Sequence, residues 1–247
     1  MELVSRGTLL YATSGSSAIN SISFASNTLT VDINGSEAAA TPEAHLSNQW
    51  QPEFILQGGC THEQYDILDK VRALCEDRAY SAWQASLPDT GNQAKIMEFF
   101  KDDTEEIRDK LHEGFLTMGL ECTNMNEGLT KMYCNDQGDC PPDVLATTVW
   151  SDKELNLKYC PMWFDSYYRI DHPGCHEGDK TKTMMHELAH ALFSVGDVKY
   201  DYDNFILLNS TDNLNNADTY AFFAKSKFTH SNRSDTNRLL TNFCSGT

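Results

Sequence analysis

Basic residues are scarce in this 247-residue chain: 19 Lys and Arg stand against 36 Asp and Glu, for a formal net charge of −17. A surface so acidic repels phosphate backbones, which excludes nucleic acid as a partner and favours proteins or peptides of basic character. Long apolar runs are missing too. No stretch approaches the ~20 residues that cross a bilayer, so no membrane partner is expected. The N-terminal Met1-Glu2-Leu3-Val4-Ser5-Arg6 lacks the apolar centre of a secretory leader. Also absent are paired C-x-x-C spacings. The eight cysteines are scattered singly, which argues against a zinc ribbon and for four disulfides made in an oxidising compartment. Three N-x-S/T sites, at Asn34, Asn209 and Asn232, agree with that compartment. Disulfide chemistry without a leader reads as part of a secreted precursor.

What the chain does contain is concentrated between Thr181 and His190, and above all in His186-Glu187-Leu188-Ala189-His190. On a helix, residues four apart stack on one face. His186 and His190 can therefore reach one metal ion, and tetrahedral Zn²⁺ accepts two imidazoles at that separation. Glu187 stands beside the first histidine, where a carboxylate can act on water without ligating the metal. Met184, Met185, Leu188, Ala189, Ala191, Leu192 and Phe193 make the segment unusually apolar. The helix is thus expected to be buried, and buried imidazoles require partners.

The rest of the chain frames this segment. Residues 1–50 are rich in Ser, Thr, Asn and Ala. Apolar and β-branched residues at 8–11, 18–24 and 29–33 suggest a small β-unit, followed by a linker over 36–50. The composition changes at Cys60. Thr61-His62-Glu63-Gln64 forms a capping box that opens a long helix, which Pro88 and Gly91 close. Further helices are expected over 93–100 and from Asp102 or Asp103 to Leu120, the latter burying Ile107, Leu111, Phe115 and Met118. Strands are expected over 131–134, 144–150 and 155–159, and a closing helix over 215–228. The order of helices, short sheet, metal helix and closing helix describes an α+β fold with an edge strand beside the active helix.

A catalytic zinc keeps three protein ligands and an open position. Beyond His190 the next histidine is His230, but Asp197, Asp201, Asp203, Asp212 and Asp218 lie closer. The helix should stop near residues 194–196, with Gly196 supplying a left-handed turn. Asp197 is then the first carboxylate that the reversed chain can return to the metal, while Asp201 and Asp203 need a longer excursion.

From Cys60 to Cys244 the chain resembles the deuterolysin-type zinc endopeptidases, the aspzincins of fungi. The resemblance rests on Tyr133-Cys134-Asn135-Asp136, Cys140 with Pro142-Asp143-Val144-Leu145-Ala146, the His186–His190 pentad, Asp197-Val198-Lys199-Tyr200, and Leu214-Asn215-Asn216-Ala217-Asp218-Thr219-Tyr220-Ala221. It implies a mainly helical, zincin-like metalloprotease domain over 51–247 with a small antiparallel or mixed sheet, binding one catalytic zinc. It implies Asp197 as third ligand, since Asp197 and Tyr200 match the family's D-x-x-Y segment. It also marks the Asp218 segment as important for zinc. We expect Asp218 to accept the outer N–H of a ligand histidine, fixing its tautomer; the simpler alternative is a helix-capping acid. The resemblance implies the disulfides Cys60–Cys134, Cys140–Cys160 and Cys175–Cys244. Cys75 and Cys122, one on each of two helices expected to pack together, form the remaining pair. Residues 1–50 resemble the end of the family's propeptide, which makes the chain part of a zymogen.

Three departures stand out. Ser194-Val195-Gly196 replaces a Gly-Thr lead-in, Asp201 follows Tyr200 where Gly is usual, and Trp163 stands where the family carries a tyrosine that assists catalysis. An indole N–H can donate a hydrogen bond but cannot transfer a proton. Tyr200, or Tyr167, could supply a hydroxyl instead. The expectation is a secreted, monomeric zinc endopeptidase in which Glu187 is the general base and Tyr200 or Trp163 stabilises the oxyanion. The alternative is an impaired relative that retains zinc for capture or for surface interaction.

Overall fold

The computed structural model describes residues 59–228, except Asp89, 125–126, 135–139 and 151–154, together with the backbone of three strands between residues 19 and 40. The chain divides into two compact units, Met1–Pro52 and Glu53–Thr247. In the first unit, β1 (Ile19–Ala25), β2 (Thr28–Ile33) and β3 (Ser36–Ala40) form an antiparallel meander in that order. Its register pairs Ile22 with Val31 and Thr30 with Ala39. The expected linker therefore starts with a strand: Ser36–Ala40 lacks branched apolar residues and gains its β-structure by pairing with β2. The strand expected over 8–11 lies outside the described residues.

The second unit begins with α1 (His62–Ala85), whose capping box is complete. Thr61 Oγ1 accepts from Gln64 N at 3.2 Å, and Gln64 Oε1 accepts from Thr61 N at 2.9 Å. Next come α2 (Gln93–Phe100) and α3 (Glu105–Thr123), which starts two or three residues later than its acids suggested. α1 and α3 lie side by side and are joined by the disulfide Cys75–Cys122. Between them and the later helices, Phe99, Phe100, Phe115, Tyr220 and Phe223 pack ring against ring in the core.

A three-stranded mixed sheet follows, with β4 (Thr130–Cys134), β5 (Ala146–Trp150) and β6 (Leu155–Tyr159) in the order β4-β6-β5. β4 runs parallel to central β6, and β5 antiparallel to it, with Thr148 opposite Leu157. The disulfide Cys60–Cys134 ties β4 to the start of the unit, and Cys140–Cys160 ties the loop before β5 to the end of β6. Cys175 is also disulfide-bonded; its expected partner, Cys244, lies outside the described residues.

A single turn, α4 (Pro161–Phe164), leads to α5 (Lys180–Phe193), the helix of the histidines. α5 lies against edge strand β5 on one side and against α1, α3 and α8 (Ala217–Lys227) on others. Its last residue, Phe193, occupies the space beside Gly114 of α3. A Cβ there would stand 1.8 Å from Phe193 Cε1, so a bare backbone is what lets the two helices approach. Two short helices not anticipated from the sequence, α6 (Tyr202–Phe205) and α7 (Ser210–Leu214), fill the excursion between α5 and α8.

Candidate metal centre

Nearly every residue of α5 from Lys180 to Ala191 is buried, as its apolar run required. Its start is fixed by Asp179, whose carboxylate caps the helix by accepting from Lys182 N at 2.6 Å. Its end is not as expected. The left-handed residue is Ser194 (φ 55°), and Gly196 instead extends into a parallel bridge with Asn216. That bridge explains the difference. Gly196 N donates to Asn215 O and Ala217 N to Gly196 O, each at 3.0 Å, so the reversal must be complete before Gly196.

The same junction delivers Asp197. The buried side-chain oxygen of Asn216 accepts from Val198 N at 2.9 Å and from Lys199 N at 3.0 Å. A loop with no regular structure is thereby latched to the start of α8. As a result, Asp197 Oδ1 lies 3.0 Å from His186 Nε2 and 3.2 Å from His190 Nε2, and the two Nε2 atoms are 3.1 Å apart.

Each imidazole is oriented from behind. His186 Nδ1 lies 2.6 Å from Asp218 Oδ1, and His190 Nδ1 lies 2.7 Å from the Val195 carbonyl. With those nitrogens donating, both Nε2 lone pairs face the gap that Asp197 also faces. Asp218 is fully buried; Lys182 Nζ shares its Oδ1, and Asp201 N donates to its Oδ2 at 2.9 Å. Burial opposes its ionisation, but the contacts with His186 and Lys182 hold its pKa down at about 2. Burial likewise lowers the His186 pKa, yet hydrogen bonds to Asp197 and Asp218 more than reverse this, to about 9. Asp197 is pulled well below the usual carboxylate range: its burial is outweighed by the hydrogen bonds from both histidines.

These features fit a divalent cation. Three potential ligand atoms lie within 3.2 Å of one another, a crowding that either protons on the imidazoles or a cation must offset. Ligand atoms around a tetrahedral ion with ~2.0 Å bonds stand roughly 3.3 Å apart. His186, His190 and Asp197 are therefore the residues that would hold the metal.

The other expected residues divide. Glu187 is buried beside the histidines, and Thr148 Oγ1 of the edge strand donates toward its Oε2 at 2.8 Å. Burial raises the Glu187 pKa, opposed by His186 and by the Thr148 hydrogen bond. Tyr200 stacks beside His186 with centroids 5.8 Å apart, and burial together with the neighbouring Asp197 carboxylate raises the pKa of its hydroxyl. Trp163 is not brought to the site. It is fully buried against Tyr159 and Phe164, and its Nε1 finds no hydrogen-bond partner among the described residues. One turn after the end of β6, it stacks on Tyr159 and does not line the cleft. Tyr167 is 93 % exposed and stands away from the cleft that the site opens onto. That cleft encloses about 750 Å³ and is lined by Asp143, Ala146, Thr148 and Trp150 on one side and by Lys182, Tyr200 and Asp201 on the other. Sequence reasoning missed Thr148, Lys182 and Asn216. Only Asn216 carried a signal, as a small polar residue beside the expected helix start.

A helix-rich fold with a three-stranded mixed sheet, two histidines on one helical face and an aspartate returned by the next loop defines the His-Glu-x-x-His class completed by a carboxylate. Residues 3–233 match the model of the deuterolysin metalloprotease (M35) family, and the chain belongs to that family. It is 31% identical over 231 residues to a neutral protease 2 homolog of Colletotrichum graminicola, covering 92% of this chain and 63% of that protein. It is 30% identical over 209 residues to neutral protease 2 of Aspergillus oryzae, covering 82% of this chain and 57% of that protein. The chain thus spans about three fifths of the length of the curated relatives it matches. Among solved structures it is similar in fold to a zinc peptidase from Grifola frondosa, with a TM-score of 0.53 at 12% identity. That likeness covers 68% of this chain and 97% of the other.

Proposed function

We propose that the protein is a secreted, zinc-dependent endopeptidase with His186, His190 and Asp197 as the zinc ligands. The observation that carries the reading is the meeting of these three donor atoms within 3.2 Å beside a buried glutamate. Zinc, when bound, supplies Lewis acidity and a water of lowered pKa. Glu187 Oε takes a proton from the attacking water as the new C–O bond forms, then passes it to the amide nitrogen as the C–N bond breaks. Burial favours the protonated intermediate of that cycle, and Thr148 favours the ionised start. Tyr200, which lines the cleft beside His186, donates to the carbonyl oxygen as charge develops on it.

Among the described residues, β5 pairs only with β6, and its other side runs along the cleft, where a peptide can lie as an additional strand. Asp143 and Asp201 on the cleft walls, with the overall charge of −17, favour basic peptides. Residues 1–50 belong to a propeptide that is removed on maturation. Mass spectrometry of secreted material should find a mature N-terminus near residue 50.

The reading is tested on purified protein. It predicts one zinc per chain, casein hydrolysis lost on chelation and restored by zinc, and a Glu187→Gln variant that keeps zinc while losing at least ~100-fold in kcat. Near-normal turnover of Glu187→Gln would overturn the role of Glu187. Zinc binding with no hydrolysis of any protein substrate would favour a zinc-capture protein instead.

A further inference from the structure

Two donors from one helix face converge on a single oxygen. Lys182 Nζ and His186 Nδ1 both bond to Asp218 Oδ1. The spacing is not accidental: residues 182 and 186 are one helical turn apart on α5, so both side chains reach the same carboxylate. The lysine is nearly buried, and its ammonium also lies 4.8 Å from the centre of the Phe222 ring. The other Asp218 oxygen is occupied by Asp201 N. Asp218 therefore faces His186 with its charge already shared.

A carboxylate behind a ligand imidazole increases the electron density available at the opposite nitrogen. An ammonium on the same carboxylate oxygen withdraws part of that density. It also places a positive charge close to the metal position, in surroundings where charges are poorly screened. We propose that Lys182 is a positioning residue that sets how tightly the His186–His190–Asp197 site holds a divalent cation, weakening the donation of His186 through Asp218. This rests on the reading of those three residues as metal ligands.

The sign of the effect survives competition from protons. Removing a neighbouring positive charge also favours protonation of His186, but a dication responds to a given potential twice as strongly as a proton does. The net effect of removing the charge is tighter metal binding. The function served is a compromise: a less generous His186 leaves the ion more electrophilic, at some loss of affinity.

The test uses the full chain, with zinc affinity measured by competition against a chromogenic chelator at fixed pH and ionic strength. Lys182→Met keeps the stem on Phe222 and removes the charge; Lys182→Gln removes the charge and keeps an N–H donor for Asp218. Both should bind zinc about 10-fold more tightly than wild type, and Lys182→Arg should stay within ~3-fold of it. In an Asp218→Asn background, the gain from Lys182→Met should shrink to less than ~3-fold. A merely structural lysine predicts the opposite sign, because loss of a support loosens a site. Unchanged or weaker zinc binding by both neutral variants, beside a zinc-binding wild type, overturns this inference alone. Absence of stoichiometric zinc in the wild type overturns the metal-site reading, and this inference with it.

Discussion

Arg78 and Asp179 lie 101 residues apart in the chain and meet in the interior, the guanidinium gripping both carboxylate oxygens at 2.9 Å. Neither side chain is more than 1 % exposed. Lys225 Nζ reaches the same carboxylate at 2.6 Å, and the Asp179 side chain caps α5 about two turns before its first histidine. One acid thus joins α1, α8 and the start of the histidine-bearing helix α5.

Removing Arg78 takes two charge-assisted hydrogen bonds from Asp179 and leaves Lys225 as its counter-charge, so Arg78→Met should cost about 3 kcal/mol in urea unfolding, the low end for a broken buried pair. Burial of Asp179 opposes its charge, but Arg78 and Lys225 outweigh it and hold the pKa at about 2. A folded pKa below the unfolded value stabilises the fold above the unfolded pKa of ~4, and that stability is lost as the pH falls through about 2. Wild type should therefore lose stability steeply between about pH 4 and pH 2. In Asp179→Asn the slope across that window should be shallower by roughly one proton.

Thr148 joins the sheet to Glu187, the proposed general base, its hydroxyl lying 2.8 Å from Glu187 Oε2 and 2.9 Å from the Glu187 carbonyl. Thr148→Val keeps the shape and removes the donor. One hydrogen bond to a charged group is worth about 1.5–3 kcal/mol, so kcat/KM should fall about 10- to 100-fold with zinc content unchanged. Thr148→Ser should recover most of the loss. Equal loss in the serine variant would mean that the methyl group, not the hydroxyl, is what matters.

How much of this could be read from the sequence depended on how locally each feature is determined. The α1 capping box, α2 and β6 are set by neighbours within a few residues, and they fall where periodicity and turn residues put them. The histidine pair was legible because four-residue spacing has only one meaning on a helix. Thr148 was not, because a threonine 39 residues before Glu187 becomes its partner only through the β5–β6 register. Arg78, Asp179 and Lys225 look like any surface charges in a chain rich in them. Only the three-dimensional fold removes them from water. Ser194 was misjudged for a related reason: the bridge between Gly196 and Asn216, a long-range pairing, overrides the local preference for a left-handed glycine.

Placement separates the two aromatic candidates for oxyanion stabilisation. Tyr200 lines the cleft beside His186, whereas Trp163 is enclosed by the core. Tyr200→Phe should lower kcat about 10- to 100-fold, the usual range for loss of one donor to a developing oxyanion or slightly below it. Trp163→Phe should leave kcat within about 3-fold of wild type. A large loss of kcat in a stably folded Trp163→Phe would return the indole to the reaction.

Asp201 offers a test in which a substitution stabilises the fold. Its backbone has φ 64° and ψ 146°, a region costly for any residue with a Cβ. The conformation is imposed because Asp201 N must reach Asp218 Oδ2 just as the chain turns into α6. Glycine occupies this region without steric cost but loses roughly 0.5–1 kcal/mol more chain entropy on folding. Relief of ~1–3 kcal/mol of strain exceeds that loss, so Asp201→Gly should stabilise the protein by about 1 kcal/mol. In a domain of this size that amounts to about 2–4 °C in Tm. The substitution also removes an acid from the cleft wall, so the KM for peptides with lysine or arginine near the scissile bond should rise while kcat holds. Destabilisation by Asp201→Gly would mean that the carboxylate, not the backbone, accounts for the aspartate at this turn.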